Sequence, residues 1–278
     1  MLPRFGYLRA ATPDQAVQAL GDYGGAALIL AGGTDLLVSM KEGTANPRYL
    51  VDIKAIPELH RIEGDGAGGL KIGACVTVNE LLEFRALPAG MAALRDAARG
   101  LGTNQVRNRA TVGGNLCNAS PACDLGPALL VLGARLRVVS TDGERVIALK
   151  DFFACPKQTC LLKHELVTEI LISPAAGTLS SFAKRTRLRG HDLAVVNAAA
   201  ALGADGKLAM ALGAVGPKPL LLEGLAGLGL EDEAEITKAI LGSIAPIDDV
   251  RASAAYRTSM TRVLVGEVLN TIANAKAQ

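Results

Sequence analysis

One stretch constrains the fold before any other. Ala26-Ala-Leu-Ile-Leu-Ala31 is short, continuously apolar and bounded by Gly25 and Gly32. Such a run predicts a strand buried on both faces, which requires other elements packed on either side of its sheet. It leads directly into Gly32-Gly-Thr-Asp35, and a second glycine pair lies in Thr111-Val-Gly-Gly-Asn115 after the polar stretch Thr103 to Ala110. Paired glycines let backbone N–H groups converge on a ligand, because no Cβ intervenes and positive φ is cheap. Two such segments meeting at one place could hold a diphosphate without Lys or Mg²⁺. Each alone also reads as an ordinary tight turn. Neither fits G-x-G-x-x-G or G-x-x-x-x-G-K-[ST], so the Rossmann and P-loop readings lack support.

The surrounding pattern alternates helices with β-rich segments. Thr12 as cap, Pro13 at the first position and Gly21 as stop predict a helix over 13–20. Strands are expected at 48–53 and 70–76. Thr77-Val-Asn-Glu80 makes a capping box for a helix that ends before Pro88, and 91–99 is another helix. A hairpin is expected from 135–140 and 144–149 about Thr141-Asp-Gly143. The pattern weakens at 173–178, where a domain boundary is placed. Strands then follow at 182–188, 194–202 and 208–215, the last two joined through Asp205-Gly206. Helices at 231–244 and 252–272 close the chain. The fold class is α+β with two domains, 1–176 and 177–278, the first split into subdomains of about 1–55 and 56–176.

Composition removes several functions. With 29 Lys and Arg against 27 Asp and Glu, and only four Tyr, five Phe and no Trp in 278 residues, neither a nucleic-acid footprint nor a base-stacking platform is present. No apolar run approaches a membrane span, and no long apolar region follows the first charges, so a cytoplasmic chain is expected. His60, His164 and His191 sit in no H-E-x-x-H frame and no G-x-S-x-G elbow exists, which leaves zinc and hydrolytic chemistry without a basis. Five cysteines, at 75, 117, 123, 155 and 160, argue against a disulfide framework.

The two glycine segments in their contexts, Leu30-Ala-Gly-Gly-Thr-Asp-Leu-Leu37 and Thr111-Val-Gly-Gly-Asn-Leu-Cys-Asn-Ala-Ser-Pro-Ala-Cys-Asp124, resemble the FAD-binding medium subunit of the molybdenum hydroxylases. These are the relatives of xanthine dehydrogenase and carbon monoxide dehydrogenase. Further matching segments fall in the family's order: 47–53, 72–74, Gln105-Val-Arg-Asn108, 151–153, Lys184-Arg-Thr-Arg187, Asp192 to Asn197, and Asp249 to Arg257. The likeness spans about the whole chain.

That resemblance implies a two-subdomain FAD-binding domain of the vanillyl-alcohol-oxidase (PCMH) type and a smaller α+β C-terminal domain. FAD would lie extended between the subdomains. Its diphosphate would be held by Ile29, Leu30, Ala31, Gly32, Gly33, Thr34, Asp35 and Leu36, and by Thr111, Val112, Gly113, Gly114 and Asn115. Asp124 matches the family's acidic contact to the cofactor, Val167 an apolar backbone contact near the flavin ring, and Lys184 a basic residue beside it. A cation there would favour the anionic reduced flavin. Read without the family, Lys184 belongs to a basic run with Arg185, Arg187 and Arg189 that suits a solvated strand face. Where xanthine oxidases set an aromatic against the ring, this chain has Leu101.

The implied role is an electron-transfer subunit. A large partner would carry molybdopterin and a small one two [2Fe–2S] clusters, with FAD relaying electrons to an external acceptor; no catalytic residue for the substrate is expected here. An additional [4Fe–4S] cluster on Cys117, Cys123, Cys155 and Cys160 has no recognised ligand spacing, and buried small hydrophobes are the expectation for these thiols. Competing readings are a stand-alone FAD oxidase or dehydrogenase, for which about 100 residues make a small substrate cap, and a cofactor-free tether. The intact glycine segments speak against the tether.

Overall fold

Residue-level spacing builds three successive units in the computed structural model, which describes residues 2–64, 66, 68–173, 177–188, 192–222, 225 and 227–277. The first comprises β1 (Gly6–Arg9), α1 (Pro13–Tyr23), β2 (Ala27–Leu30), α2 (Leu36–Lys41) and β3 (Tyr49–Asp52), with the strands parallel in the order β1-β3-β2. Thr12 caps α1 as its side chain accepts from the Gln15 N–H. Gly21 does not stop the helix, which continues to Tyr23 and ends at Gly24 with φ +50°. The expectation of a strand buried on both faces also fails. Leu28 is 38% exposed and Ile29 and Leu30 are half-buried, because β2 is an edge strand of a three-stranded sheet. β3 takes the central, buried position.

The second unit runs through β4 (Ile62–Gly64), β5 (Leu70–Gly73), α3 (Val78–Glu83), α4 (Ala92–Gly100), α5 (Asn104–Arg107), α6 (Val112–Cys117) and α7 (Leu125–Val131). It continues with β6 (Arg135–Ser140), β7 (Gly143–Ala148), β8 (Phe153–Cys155), β9 (Gln158–Thr159) and β10 (Leu166–Ile172). The Thr77–Glu80 capping box forms in both directions. The 135–148 hairpin closes through the pair Ser140–Gly143. β5 ends at Gly73, short of 76, where a turn begins in which the Val76 N–H donates to the Gly73 carbonyl. The sheet order is β4-β5-β10-β6-β7, so its middle strand, β10, is one the sequence pattern did not reveal.

The third unit is a four-stranded antiparallel sheet, β11 (Leu179–Arg185), β12 (Val196–Leu202), β13 (Leu208–Gly213) and β14 (Leu220–Leu222), with α8 (Glu233–Ser243) and α9 (Ala254–Lys276). β12 is buried at every position. Ala199 and Ala201 share a core with Leu94, Ala97 and Leu129 of α4 and α7, whereas Ala198, Ala200 and Leu202 pack with Val265, Val268 and Leu269 of α9. Alanine at four successive positions leaves room for helices on both faces. The late motif has a structural use. Arg257, 1% exposed, donates to the Val195 and Ala214 carbonyls and to Asp249. Burial alone would raise the Asp249 carboxyl, but hydrogen bonds from Arg251 and the charge of Arg257 hold it well below the usual carboxylate range. Of the stretch 173–178, where the boundary is expected, residues 174–176 lie outside the described residues, as do Arg189 and His191. No helix among the described residues is long and apolar enough to cross a membrane.

Candidate functional site

The first glycine segment is a β2-to-α2 turn. Gly33 adopts φ +74°, and its carbonyl accepts from the Leu37 N–H at 3.2 Å as α2 begins. A Cβ on Gly32 would sit 2.0 Å from the Arg109 carbonyl oxygen, so the segment lies directly against the chain that leads into the second glycine pair. The N–H groups of Gly32, Gly33, Thr34 and Asp35 find no acceptor among the described residues. Four consecutive N–H groups without an acceptor in a partly exposed turn make a segment suited to an anion.

The second segment is built differently. Thr111, 4% exposed, caps α6 by accepting from the Gly114 N–H at 3.0 Å. Val112 donates to the Val76 carbonyl at 2.9 Å, Gly113 to that of Ala74 at 3.1 Å, and Asn115 to that of Thr111 at 2.9 Å. The main-chain donors of 112–115 are therefore engaged, and only Gly114 and the Asn115 side chain are partly open. Gly113 is required for close packing, since a Cβ there would lie 2.7 Å from Ala74. At Gly114 a Cβ would meet the capping Thr111 Oγ1 at 2.7 Å. Gly114→Ala is thus expected to lose the cap and about 1 kcal/mol of stability, measured by urea denaturation.

Cys123 is more than a buried small hydrophobe. Its thiol donates to Asn115 Oδ1 at 2.8 Å and its sulfur accepts from the Gly126 N–H, while burial pushes the thiol up to about 12. This fixes the Asn115 amide with its hydrogens unclaimed by any described residue. Of the other thiols Cys75 is buried, Cys155 and Cys160 are half-buried and Cys117 is exposed, so the expectation of uniform burial is corrected. Among the described residues no three His, Cys, Asp or Glu side chains lie together as a metal site. His60 contacts the Lys54 carbonyl and His164 pairs with Asp142.

Asp124 and Lys184, 60 residues apart, are joined directly. Lys184 Nζ lies 2.7 Å from Asp124 Oδ2 and 3.0 Å from the Gly100 carbonyl at the end of α4. Both side chains are 9% exposed, so Lys184 is enclosed and paired and does not occupy a solvated strand face. Burial raises the Asp124 carboxyl, and Lys184 and Asn197 oppose that rise. Asn197, fully buried on β12, donates to Asp124 Oδ1 at 3.1 Å and to the Cys123 carbonyl at 3.2 Å. Its signal in the sequence was an amide inside an alanine run, a polar group that must find partners once buried.

Leu101 follows Gly100 in the same turn. It is buried, and its carbonyl and that of Gly102 each accept from Arg107 at 3.1 Å. Lys184, Asp124 and the Leu101 turn thus come together. Val167 stands apart in β10, 3% exposed. It is one residue from Thr168, whose carbonyl accepts from Ala74, the residue that receives Gly113. Arg107 and Asn197 are the organising side chains that motif reading left out of the site.

Residues 3–175 match the family model described as FAD binding domain in molybdopterin dehydrogenase, and residues 181–272 match CO dehydrogenase flavoprotein C-terminal domain. The chain is 32% identical to the carbon monoxide dehydrogenase medium chain of Hydrogenophaga pseudoflava, with 96% of each covered. It is 29% identical to the putative xanthine dehydrogenase FAD-binding subunit of Escherichia coli, over 95% of this chain and 94% of that one. Among solved structures, carbon monoxide dehydrogenase from Hydrogenophaga pseudoflava lacking the Mo-pyranopterin moiety superposes with a TM-score of 0.92 at 31% identity, covering 98% of each chain. A chain whose two halves match both family models in order, and whose fold follows a medium chain nearly end to end, belongs to the FAD-binding medium-subunit family of the molybdopterin dehydrogenases.

Proposed function

We propose that this chain holds FAD and passes electrons between [2Fe–2S] clusters on a small partner and an external acceptor, while a large molybdopterin partner carries the organic substrate. The row of N–H groups from Gly32 to Asp35 supports this most directly, because it suits a diphosphate and has no partner among the described residues. Residues 29–36 and 111–115 would bind the dinucleotide's phosphate end, with Leu101, Asp124, Val167 and Lys184 at its ring end. The bound flavin supplies interconversion of one- and two-electron transfer. The protein's part is to hold and orient. Gly32 and Gly33 keep the receptor open, and Cys123 aims the Asn115 amide. Lys184 and Asp124 enclose a fixed pair of opposite charges beside Leu101. The division into 1–176 and 177–278, with subdomains near 55, and a cytoplasmic location belong to the same reading.

Expressed alone or with its partners, the chain should elute from gel filtration yellow, with about one FAD per chain. A colourless protein that stays colourless on titration with FAD would refute the proposal.

A further inference from the structure

All three non-glycine residues with positive φ among those described converge on one segment, 118–124. Ala119 is one of them, at φ +45°. Lys157, at φ +61°, donates its N–H to the Ala119 carbonyl at 2.9 Å, and Ala214, at φ +63°, donates to that of Pro121 at 2.7 Å. Left-handed backbone disfavours ordinary side chains and persists where the surroundings enforce it, often at functional sites. Lys157 is the most informative of the three. It occupies the tip of the β8–β9 hairpin, where glycine or asparagine would sit without strain.

Its side chain supplies a reason. Lys157 Nζ donates to Asn118 Oδ1 at 2.9 Å, and the same Asn118 donates through Nδ2 to Asp35 Oδ1 at 2.8 Å. One amide therefore ties the lysine to the last residue of the unpaired N–H row. No carboxylate among the described residues pairs with Lys157, so two of its three ammonium donors are unclaimed there. Asp35 meanwhile sets an exposed negative charge at the edge of a receptor suited to a diphosphate. Two phosphate charges beside that carboxylate call for a cation, and the hairpin brings one to its hydrogen-bonded neighbour.

We propose that Lys157 is a further binding residue of the dinucleotide site: its ammonium supplies the positive charge at the phosphate end, held there by Asn118 and by the strained hairpin tip. This rests on the FAD reading above and adds to it a residue distant in sequence from both glycine segments.

The test is FAD titration of the full-length apoprotein, wild type and variants, followed by flavin fluorescence at about 0.02 M and about 0.3 M salt. Lys157→Gln should bind FAD roughly tenfold more weakly at low salt, and its affinity should depend less on salt than the wild type's. Lys157→Arg should stay within about threefold of wild type. Lys157→Gly relieves the backbone while deleting the charge. Its apoprotein should melt no lower than wild type even though FAD binding weakens as in Lys157→Gln, a combination that a structural role alone would not produce. If Lys157→Gln keeps both wild-type affinity and wild-type salt dependence, the assignment is wrong while the flavoprotein reading stands. If the wild-type chain takes up no FAD, the reading beneath it fails and the assignment falls with it.

Discussion

Gly32→Val is expected to yield a colourless protein, with FAD affinity reduced at least about 100-fold, or roughly 2.7 kcal/mol of binding free energy. A Cβ at this position would lie 2.0 Å from the Arg109 carbonyl oxygen and 3.2 Å from the Ala110 Cα. Both are main chain and cannot rotate away. The first glycine segment must therefore move off the chain that carries Arg109 and Thr111, and the N–H groups of 32–35 move with it. The sequence suggested a different cause, a Cβ obstructing the diphosphate itself. The two causes differ in the apoprotein. Obstruction of the ligand leaves the empty protein as stable as wild type. A collision with Arg109 destabilises it by about 3 kcal/mol, the upper end for overpacking, and lowers Tm by roughly 5 °C for a chain of this size. Gly242→Ala in α8 is the control, because nothing lies within 4 Å of its Cβ and φ is not positive. That variant should keep its flavin and melt at or slightly above the wild-type temperature.

Lys184→Met should cost about 3–5 kcal/mol, because it leaves the Asp124 carboxylate enclosed without its counter-ion. Replacing both partners, Asp124→Leu with Lys184→Met, should recover much of that stability, since the desolvation penalty disappears with the charge. The pH dependence identifies the cause. Burial already raises the folded carboxyl above the ordinary aspartate value, and Lys184 is the main influence holding it down. In Lys184→Met it rises further. A carboxyl raised on folding supports the folded state fully below its unfolded pKa, near 3.9, and withdraws that support as pH climbs through the folded value. The stability gap between wild type and Lys184→Met should therefore be small near pH 4 and wide near pH 7.5 in urea titrations. A gap that is constant, or wider in acid, would show that lost packing of the lysine stem is responsible and the unpaired carboxylate is not. Both domains contribute to this pair, so the single variant should also release flavin more readily than wild type, as read by absorbance after dialysis.

What the sequence made legible follows the range of the forces involved. The Thr12 cap, the Thr77–Glu80 box and the Asp205-Gly206 turn each depend on partners a few residues away and stand as expected, whereas the hairpin forms with the shorter turn Thr141-Asp142 because Gly143 pairs with Ser140 and begins the second strand. The glycine pairs marked where backbone would be exposed or closely approached, and the joined motifs identified the family.

Other features needed the folded chain. β10 was missed because its alternation is interrupted by a register shift between Val167 and Glu169, yet it is the middle strand of its sheet. β2 looked doubly buried, but apolar content does not say whether a strand is central or at an edge. The glycine pairs looked equivalent, but the Ala74 carbonyl takes the Gly113 N–H and the Thr111 hydroxyl that of Gly114, while no described residue takes those of Gly32 and Gly33. The same holds for Lys184 meeting Asp124, Asn197 reaching Asp124 from a sheet 73 residues onward, and Lys157 joining Asp35 through Asn118. Local sequence fixes caps, turns and glycine freedom because those energies are settled within one helical turn or one hairpin. Which charge is paired and which amide is left without an acceptor are decided by burial and by contacts between distant segments, and these exist only once the sheets have packed.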